Sequence, residues 1–167
     1  MIGPFAPADQ QGVLDLILSI QRDEYGIAIT AADQPDLTDI PAFYGPGAGG
    51  FWVARQDSRP VGTVALKDIG SGAVALRKMF VAASHRGRAA GVAQALLDTA
   101  LAAARDRGVT QIWLGTTDRF VAAHRFYEKN GFALVEAETL PPGFPRMAVD
   151  NRFYARAVDE SGRCASA

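Results

Sequence analysis

A short loop of small and basic residues is the part of this sequence whose residue types point most directly to chemistry. Residues 86–91 read RGRAAG, follow an apolar stretch and precede an Ala/Leu-rich stretch with helical spacing. Free N–H groups and the positive dipole end at a helix N-terminus suit a phosphate or pyrophosphate. The small residues let the backbone approach such a ligand closely. Taken alone, the loop is equally consistent with an ordinary helix start on a solvated surface.

Two motifs, in order along the chain, narrow this interpretation. Residues 86–91 lack the patterns GxxxxGK[ST] and GxGxxG and instead fit R-x-x-A-x-G. This resembles the pyrophosphate-binding motif Q/R-x-x-G/A-x-G/A of the GNAT family of N-acetyltransferases. Residues 122–132 read AAHRFYEKNGF, which is similar to the family's second signature, A-x-x-F-Y-E-K-x-G-F. The resemblance is close over residues 75–135 and limited to the general pattern elsewhere.

The resemblance implies a donor and a set of residues that hold it. The implied activity is transfer of an acetyl group from acetyl-CoA to a primary amine, by direct attack in a ternary complex. The loop would bind the pyrophosphate, and the backbone of the strand before it would bind the pantetheine arm and the carbonyl. The implied cofactor-binding residues are Met79, Phe80, Val81, Arg86, Gly87, Arg88, Ala89, Ala90, Gly91 and His124. For His124, a solvated or structural role is the alternative.

The same resemblance proposes catalytic residues. Tyr127 matches the signature tyrosine, which is often the general acid in this family, and a phenol of pKa about 10 stays protonated at neutral pH. Many relatives place a Glu or His base in the strand before the loop, whereas residues 73–79 read AVALRKM. Glu24 and Asp23 are the best carboxylate candidates for the base, with Asp68 behind them, and the alternative for all three is that they are plain surface acids. Water, or an amine that arrives neutral, are alternatives.

Composition excludes several classes of protein. With 167 residues, 49% hydrophobic and 21% charged, the chain is typical of one globular domain. A net charge of −1 creates no field for nucleic acid or an anionic membrane. No apolar run is long enough to span a membrane, and the first residues lack a signal-peptide layout, so we expect a cytoplasmic protein. The single cysteine, Cys164, and two histidines offer no metal site.

The acceptor side of the chain gives one further indication. Residues 21–50 hold five acidic residues against the single base Arg22: Asp23, Glu24, Asp33, Asp36 and Asp39. An acidic rim would favour a cationic acceptor, either a small-molecule or a peptide amine. A solvated acidic loop is an equally good interpretation. A homodimer that forms through the final strands is left open by the sequence.

The elements that must position these residues follow the order β-α-α-β-β-β-α-β-α-β-β, with Asp9 and Asp118 as caps of two helices. The resemblance implies an α/β protein with the GNAT acyl-CoA N-acyltransferase fold, a mixed central sheet of six to seven strands flanked by helices. In that fold the strands on either side of the loop and long helix are parallel and splay apart. We expect one domain over residues 1–156 and a disordered tail over residues 157–167.

Two other functional classes compete with an acetyltransferase. A non-catalytic sensor or regulatory module that binds acyl-CoA is slightly favoured by the missing acid in residues 73–79. A nucleic-acid-associated protein could use Arg86 and Arg88, but the net charge of −1 and the lack of a basic stripe argue against it.

Overall fold

The computed structural model describes residues 1–87 and 90–158. Within them seven strands form one sheet in the order β1-β2-β3-β4-β5-β7-β6. The strands are β1 (Ile2–Pro4), β2 (Gly50–Gln56), β3 (Arg59–Gly70), β4 (Ala73–Val81), β5 (Gln111–Thr116), β6 (Ala133–Val135) and β7 (Arg152–Ala157). The helices are α1 (Gln10–Ser19), α2 (Ile40–Tyr44), α3 (Val92–Asp106) and α4 (Val121–Lys129). The order of elements and the mixed sheet confirm the predicted fold.

The centre of the sheet contains its only parallel pair of described strands. Strands β4 and β5 pair through Ala73–Ala75 and Gln111–Trp113, and no further residues of the two strands are in register. The pairs β1–β2, β2–β3, β3–β4, β5–β7 and β6–β7 are antiparallel. Beyond Ala75 the two parallel strands therefore separate, which confirms the splay that the resemblance implied.

Successive side chains of each strand point to opposite faces of the sheet, and this alternation divides the core into two layers. In β3, Val64 and Leu66 join the cluster on the side of α3, whereas Ala65 joins the cluster under α1 and α2. The long helix α3 buries a stripe of small and medium residues at helical spacing: Leu96, Leu97, Ala100 and Ala104. The sheet is thus covered on both faces, and the cleft between β4 and β5 is the place where the layers open.

The structure corrects the two predicted helix caps. Asp9 gives no side-chain cap to α1, because its carboxylate accepts hydrogen bonds from the Ala6 N–H and from the guanidinium of Arg55. Helix α4 begins at Val121, without a side-chain cap, and Asp118 lies outside its first turn. Helix α1 continues directly into one π-helical turn, Ile20–Glu24.

The last strand of the sheet extends slightly beyond the predicted domain boundary. β7 runs to Ala157, one residue beyond the predicted domain boundary, and the Val158 N–H donates to the Thr110 carbonyl over 2.8 Å. The remainder of the predicted tail, residues 159–167, lies outside the described residues. Among the helices of the described ranges, none combines the length and apolar character needed to cross a bilayer.

Candidate functional site

The separation of β4 from β5 opens a cavity of about 790 Å³. Its walls come from both strands, the loop before α3, the inner face of α4 and the end of α1 with its π turn. The predicted site residues that line it are Met79, Phe80, Val81, Arg86, Gly87, Gly91 and Tyr127. Ala90, Glu24 and His124 are not on its walls, and Arg88 and Ala89 lie outside the described residues.

The loop that precedes α3, called the anion cradle below, has two glycines with left-handed backbone conformations among its described residues. Gly87 and Gly91 have φ angles of 97° and 65°, in the left-handed region that favours glycine. Gly91 directly precedes α3 and has no side chain to cap it, so the first N–H groups of this 15-residue helix are not consumed by a cap. These groups and the helix dipole favour a negatively charged ligand.

Arg86 is held at the mouth of this cradle by two contacts. Its Nε donates to the Val81 carbonyl over 2.8 Å, which ties the loop to the end of β4. Its two terminal nitrogens donate to the Glu24 carboxylate over 2.5 and 2.8 Å. Hydrogen bonding to Glu24 raises the pKa of the Arg86 guanidinium. Glu24 thus faces the predicted pyrophosphate site, and its role as general base stays a prediction.

Strand β4 carries a bulge where it borders the cavity. Thr63 and Ala65 of β3 pair with Phe80 and Arg77, so β4 holds one extra residue between them. Lys78 adopts a φ of 52°, uncommon for a residue with a side chain. The Thr63 hydroxyl fixes the distortion by donating to the Lys78 carbonyl over 2.6 Å. Bulges of this kind re-aim side chains next to active sites.

The bulge sends the Lys78 side chain into a buried polar network. Its ammonium donates to Gln34 Oε1 over 2.6 Å and lies 3.5 Å from the Asp36 carboxylate, which accepts from the Tyr44 hydroxyl over 2.5 Å. Gln21 and Gln34 exchange amide hydrogen bonds of 3.1 and 2.9 Å. Burial lowers the pKa of Lys78 to about 8, against the opposing effect of Asp36. The network anchors the segment between α1 and α2 to the cavity wall.

Tyr127 is placed in the cavity wall by the packing of α4. Its ring lies 5.7 Å from that of Phe132 and 6.1 Å from that of Tyr154. Its side chain lines the cavity, and its hydroxyl has no hydrogen-bond partner within the described ranges. Burial raises the pKa of Tyr127, so the hydroxyl is protonated throughout the physiological range. Within the described residues it is therefore a proton donor without a protein acceptor.

His124 lies one helical turn before Tyr127 but faces away from the cavity. It is only 6% exposed, and its Nε2–H donates to the Thr117 carbonyl over 2.8 Å. Its ring packs beside that of Tyr154, with a centroid separation of 6.2 Å. This geometry favours the structural alternative for His124 over contact with the cofactor.

The structure adds Asp150 to the cavity wall, which sequence reasoning missed. Asp150 is half-buried in the segment before β7, and its Oδ2 accepts from the Met147 N–H over 3.0 Å. It packs on Gly115 of β5, where an added Cβ would lie 2.6 Å from Oδ2. Burial raises the pKa of Asp150, while the Met147 N–H and Arg77 act in the opposite direction. Asp150 lies just before β7, and neither its spacing nor its neighbours in the sequence indicate a buried carboxylate.

The acidic rim predicted for the acceptor does not reach the cavity. Glu24 binds Arg86, Asp36 binds Lys78, Asp33 accepts from Thr30, and Asp39 accepts from the Ala42 N–H at the start of α2. None of the five acids of this segment is among the lining residues. The expectation of a cationic acceptor depended on an acidic rim beside the cavity, and the described side chains do not form one.

Asp68, another predicted candidate for the base, is explained by local structure. Asp68 accepts the N–H groups of Ala48 and Gly70 over 2.9 and 2.8 Å, and these bonds lower its pKa. It therefore braces a loop rather than the cavity. Across residues 1–87 and 90–158, no group of three or more His, Cys, Asp or Glu side chains is placed to hold a metal ion.

Comparison with known proteins agrees with this geometry. An acetyltransferase of the GNAT family from Staphylococcus aureus Mu50 is 36% identical, and its solved structure matches with a TM-score of 0.90 over 94% of this chain and 98% of its own. N-acetylaspartate synthetase of Xenopus tropicalis is 33% identical over 75% of this chain and 47% of its own length. The PaiA N-acetyltransferase of Thermoplasma acidophilum, solved in complex with coenzyme A, is 15% identical with a TM-score of 0.70 over 94% of this chain and 98% of its own.

The matches to solved structures cover most of this chain. The chain spans about half the length of the curated relatives it matches. The model of the acetyltransferase (GNAT) family matches residues 14–132, which include the second half of α1, the anion cradle and the signature around Tyr127. The chain therefore belongs to the GNAT family of acetyltransferases.

Proposed function

We propose that this protein transfers an acetyl group from acetyl-CoA to a primary amine by direct attack in a ternary complex. The observation that carries the proposal is the convergence of three parts on one cavity. These are the loop before α3, the splayed backbone of β4 and the protonated hydroxyl of Tyr127. An anion cradle, a free strand edge and an acid are the parts that a thioester donor and its leaving thiolate require.

Residues of the loop and of β4 would hold the donor. Arg86 would present charge, and Gly87 and the first turn of α3 would present backbone N–H groups to the pyrophosphate, together with Arg88, Ala89 and Ala90 as the family motif implies. Gly91 would let the backbone approach the ligand closely. The backbone of β4 beyond Ala75, at Met79, Phe80 and Val81, has no partner on β5 and is available to the pantetheine arm. Bound acetyl-CoA would supply the thioester carbonyl that the amine attacks.

Tyr127 would complete the transfer as general acid. The acceptor nitrogen forms the new C–N bond, the C–S bond breaks, and the Tyr127 hydroxyl gives its proton to the leaving sulfur. The proton lost by the nitrogen returns to the phenolate through a base and solvent. Because burial disfavours the phenolate, that form is short-lived and the acid is quickly restored.

Titration calorimetry with acetyl-CoA, followed by thiol release in the presence of an amine panel, tests the proposal. Saturable binding with amine-dependent thiol release is the expected result. Binding without turnover across the panel would favour the sensor alternative, and absence of binding would refute the assignment of the cradle. An acceptor that is a small molecule or a peptide, a homodimer and a cytoplasmic location belong to the same proposal and need separate measurements.

A further inference from the structure

We propose that the acceptor is an α-amino acid whose carboxylate binds Arg77 and whose ammonium gives its proton to Asp150. The inference rests on the acetyl transfer proposed above and names the substrate class of that same cavity. It also assigns the general base, for which residues 73–79 offer no carboxylate or imidazole.

Arg77 is a half-buried cation of the cavity wall that remains available to a ligand, whereas Lys129, which also lines the cavity, is exposed. Arg77 forms neither an ion pair nor a hydrogen bond within the described parts of the chain. Its guanidinium lies 5.6 Å from the centre of the Phe43 ring, which limits its orientation. The neighbouring Lys78 is different, because Gln34 and Asp36 already occupy its ammonium.

The planar fork of an arginine matches a carboxylate through two parallel hydrogen bonds. An amine without a carboxylate would leave the half-buried charge of Arg77 without a partner. The cavity should therefore select acceptors that carry a carboxylate close to the reacting nitrogen.

Asp150 offers the complementary charge. Only its Oδ2 accepts a described hydrogen bond, from Met147, so Oδ1 is free to receive a proton from the ammonium. The charged groups that face it are Arg77 and Lys78 from β4 and Arg146 from its own segment. These three cations oppose the effect of burial, which still raises the pKa of Asp150 above its ordinary value. A carboxylate with a raised pKa is a stronger base toward an ammonium than an ordinary carboxylate.

Arg77 and Asp150 lie on opposite sides of the opening between the parallel strands. Arg77 belongs to β4, and Asp150 packs on Gly115 of β5. They are close enough for the charge of Arg77 to lower the pKa of Asp150, yet they form no ion pair. A zwitterion between them would satisfy both charges, with its carboxylate on Arg77 and its ammonium on Asp150.

The proton balance follows from this placement. The Asp150 carboxylate takes one proton from the acceptor ammonium, and the neutral amine attacks the thioester carbonyl. The C–N bond forms, the C–S bond breaks, and Tyr127 protonates the sulfur. The second nitrogen proton leaves as the amide forms and restores the Tyr127 phenol through solvent. The products are an N-acetyl amino acid and free CoA, with Asp150 protonated until it releases its proton to water.

The acceptor class is tested with the twenty common α-amino acids and their matched α-carboxamides, using thiol release by the full chain. We expect at least one amino acid to be acetylated with a kcat/KM ten- to hundredfold above that of its carboxamide, as a charge-assisted bidentate contact provides. In Arg77→Gln the KM of that amino acid should rise by a similar factor, while the carboxamide is unaffected. Arg59→Gln, at an exposed site of β3 outside the cavity, is the matched control.

Asp150→Asn tests the role of Asp150 as the base through the pH profile of kcat, which would keep its shape if Asp150 had only a structural role. We expect kcat to fall at least a hundredfold and the acidic limb of its pH profile to disappear, while the Kd of acetyl-CoA by calorimetry is unchanged. Asp150→Glu should recover part of the rate. A retained acidic limb in Asp150→Asn would overturn the assignment of the base.

Two outcomes separate this inference from the proposed function. Turnover of carboxamides or simple amines in preference to amino acids would overturn the acceptor class alone. Failure to acetylate any amine would overturn both. If Arg77→Gln keeps the wild-type ratio of kcat/KM between the amino acid and its carboxamide, another group binds the carboxylate. That result would also overturn the proposal.

Discussion

Glu24 and Arg86 form a bidentate ion pair, with N–O distances of 2.5 and 2.8 Å, at the mouth of the loop that precedes α3. The two side chains are 33% and 37% exposed, and ion pairs in such positions contribute at most about 1 kcal/mol. A pyrophosphate with several negative charges can therefore compete with Glu24 for the guanidinium. The pair links the π turn after α1 to the anion cradle.

Glu24→Gln should strengthen the binding of acetyl-CoA about two- to fivefold, because the pyrophosphate no longer competes with a carboxylate for Arg86. Calorimetric Kd values for the wild type and the variant measure this, with the exposed Glu138→Gln as a control of equal charge change. Weaker binding would contradict the competition. A loss of kcat of a hundredfold or more at unchanged Kd would instead identify Glu24 as the general base.

Tyr127→Phe should lower kcat by about a hundredfold or more while the Kd of acetyl-CoA is unchanged, because the variant removes only the proton donor. The ring contacts with Phe132 and Tyr154 are kept, and the hydroxyl has no described partner to lose. The unfolding temperature should therefore stay the same or rise slightly. An unchanged kcat would reject the role of Tyr127 as general acid.

Gly115→Ala should displace the Asp150 carboxylate, because the new Cβ would lie 2.6 Å from Oδ2. We expect a loss of kcat of about tenfold with little change in the Kd of acetyl-CoA, whose predicted contacts lie elsewhere in the cavity. Gly3→Ala is the matched control, since its Cβ would meet its nearest neighbour, Arg55 Nη1, at an ordinary 3.4 Å. Full activity in Gly115→Ala would mean that the position of Asp150 is unimportant.

Lys78 gives the fold a predictable dependence on alkaline pH. Its pKa is about 8 in the folded protein against an ordinary value of 10.5, so between these values the unfolded chain binds more protons. The free energy of unfolding of the wild type, relative to Lys78→Met, should be flat below pH 8 and rise by about 3 kcal/mol as the pH approaches and passes 10.5.

Urea denaturation of both proteins at a series of pH values measures this difference. The difference between the two proteins is the quantity to compare, because the other titrating groups are common to both. A difference that does not change with pH would show that the Lys78 ammonium is not desolvated in the folded chain.

The sequence was sufficient to predict those elements that depend on residues close together in the chain. The strand Ala73–Val81 and the helix that carries Tyr127 are specified by residues close together in the chain, and both are present. The order of elements followed from the sequence pattern, and the splay of the parallel strands followed from the family resemblance.

What the sequence could not predict depends on partners far apart in the chain. Lys78 bonds to Gln34 across 44 residues, and Asp9 bonds to Arg55 across 46 residues, which removes Asp9 from its expected cap. Glu24 reaches Arg86 across 62 residues. Asp150 lies in an irregular segment, and its burial depends on Gly115 of another strand. Neither spacing nor composition carries information about such contacts.

Product analysis of a single reaction tests the central claim most directly. The wild-type protein is incubated with acetyl-CoA and the amino acid panel, and free CoA and N-acetyl product are quantified in the same samples by mass spectrometry. We predict one N-acetyl amino acid for each CoA released, and no CoA release above background without an amine. CoA release that does not depend on the amine, or no release at all, would contradict the assignment of this cavity to acetyl transfer.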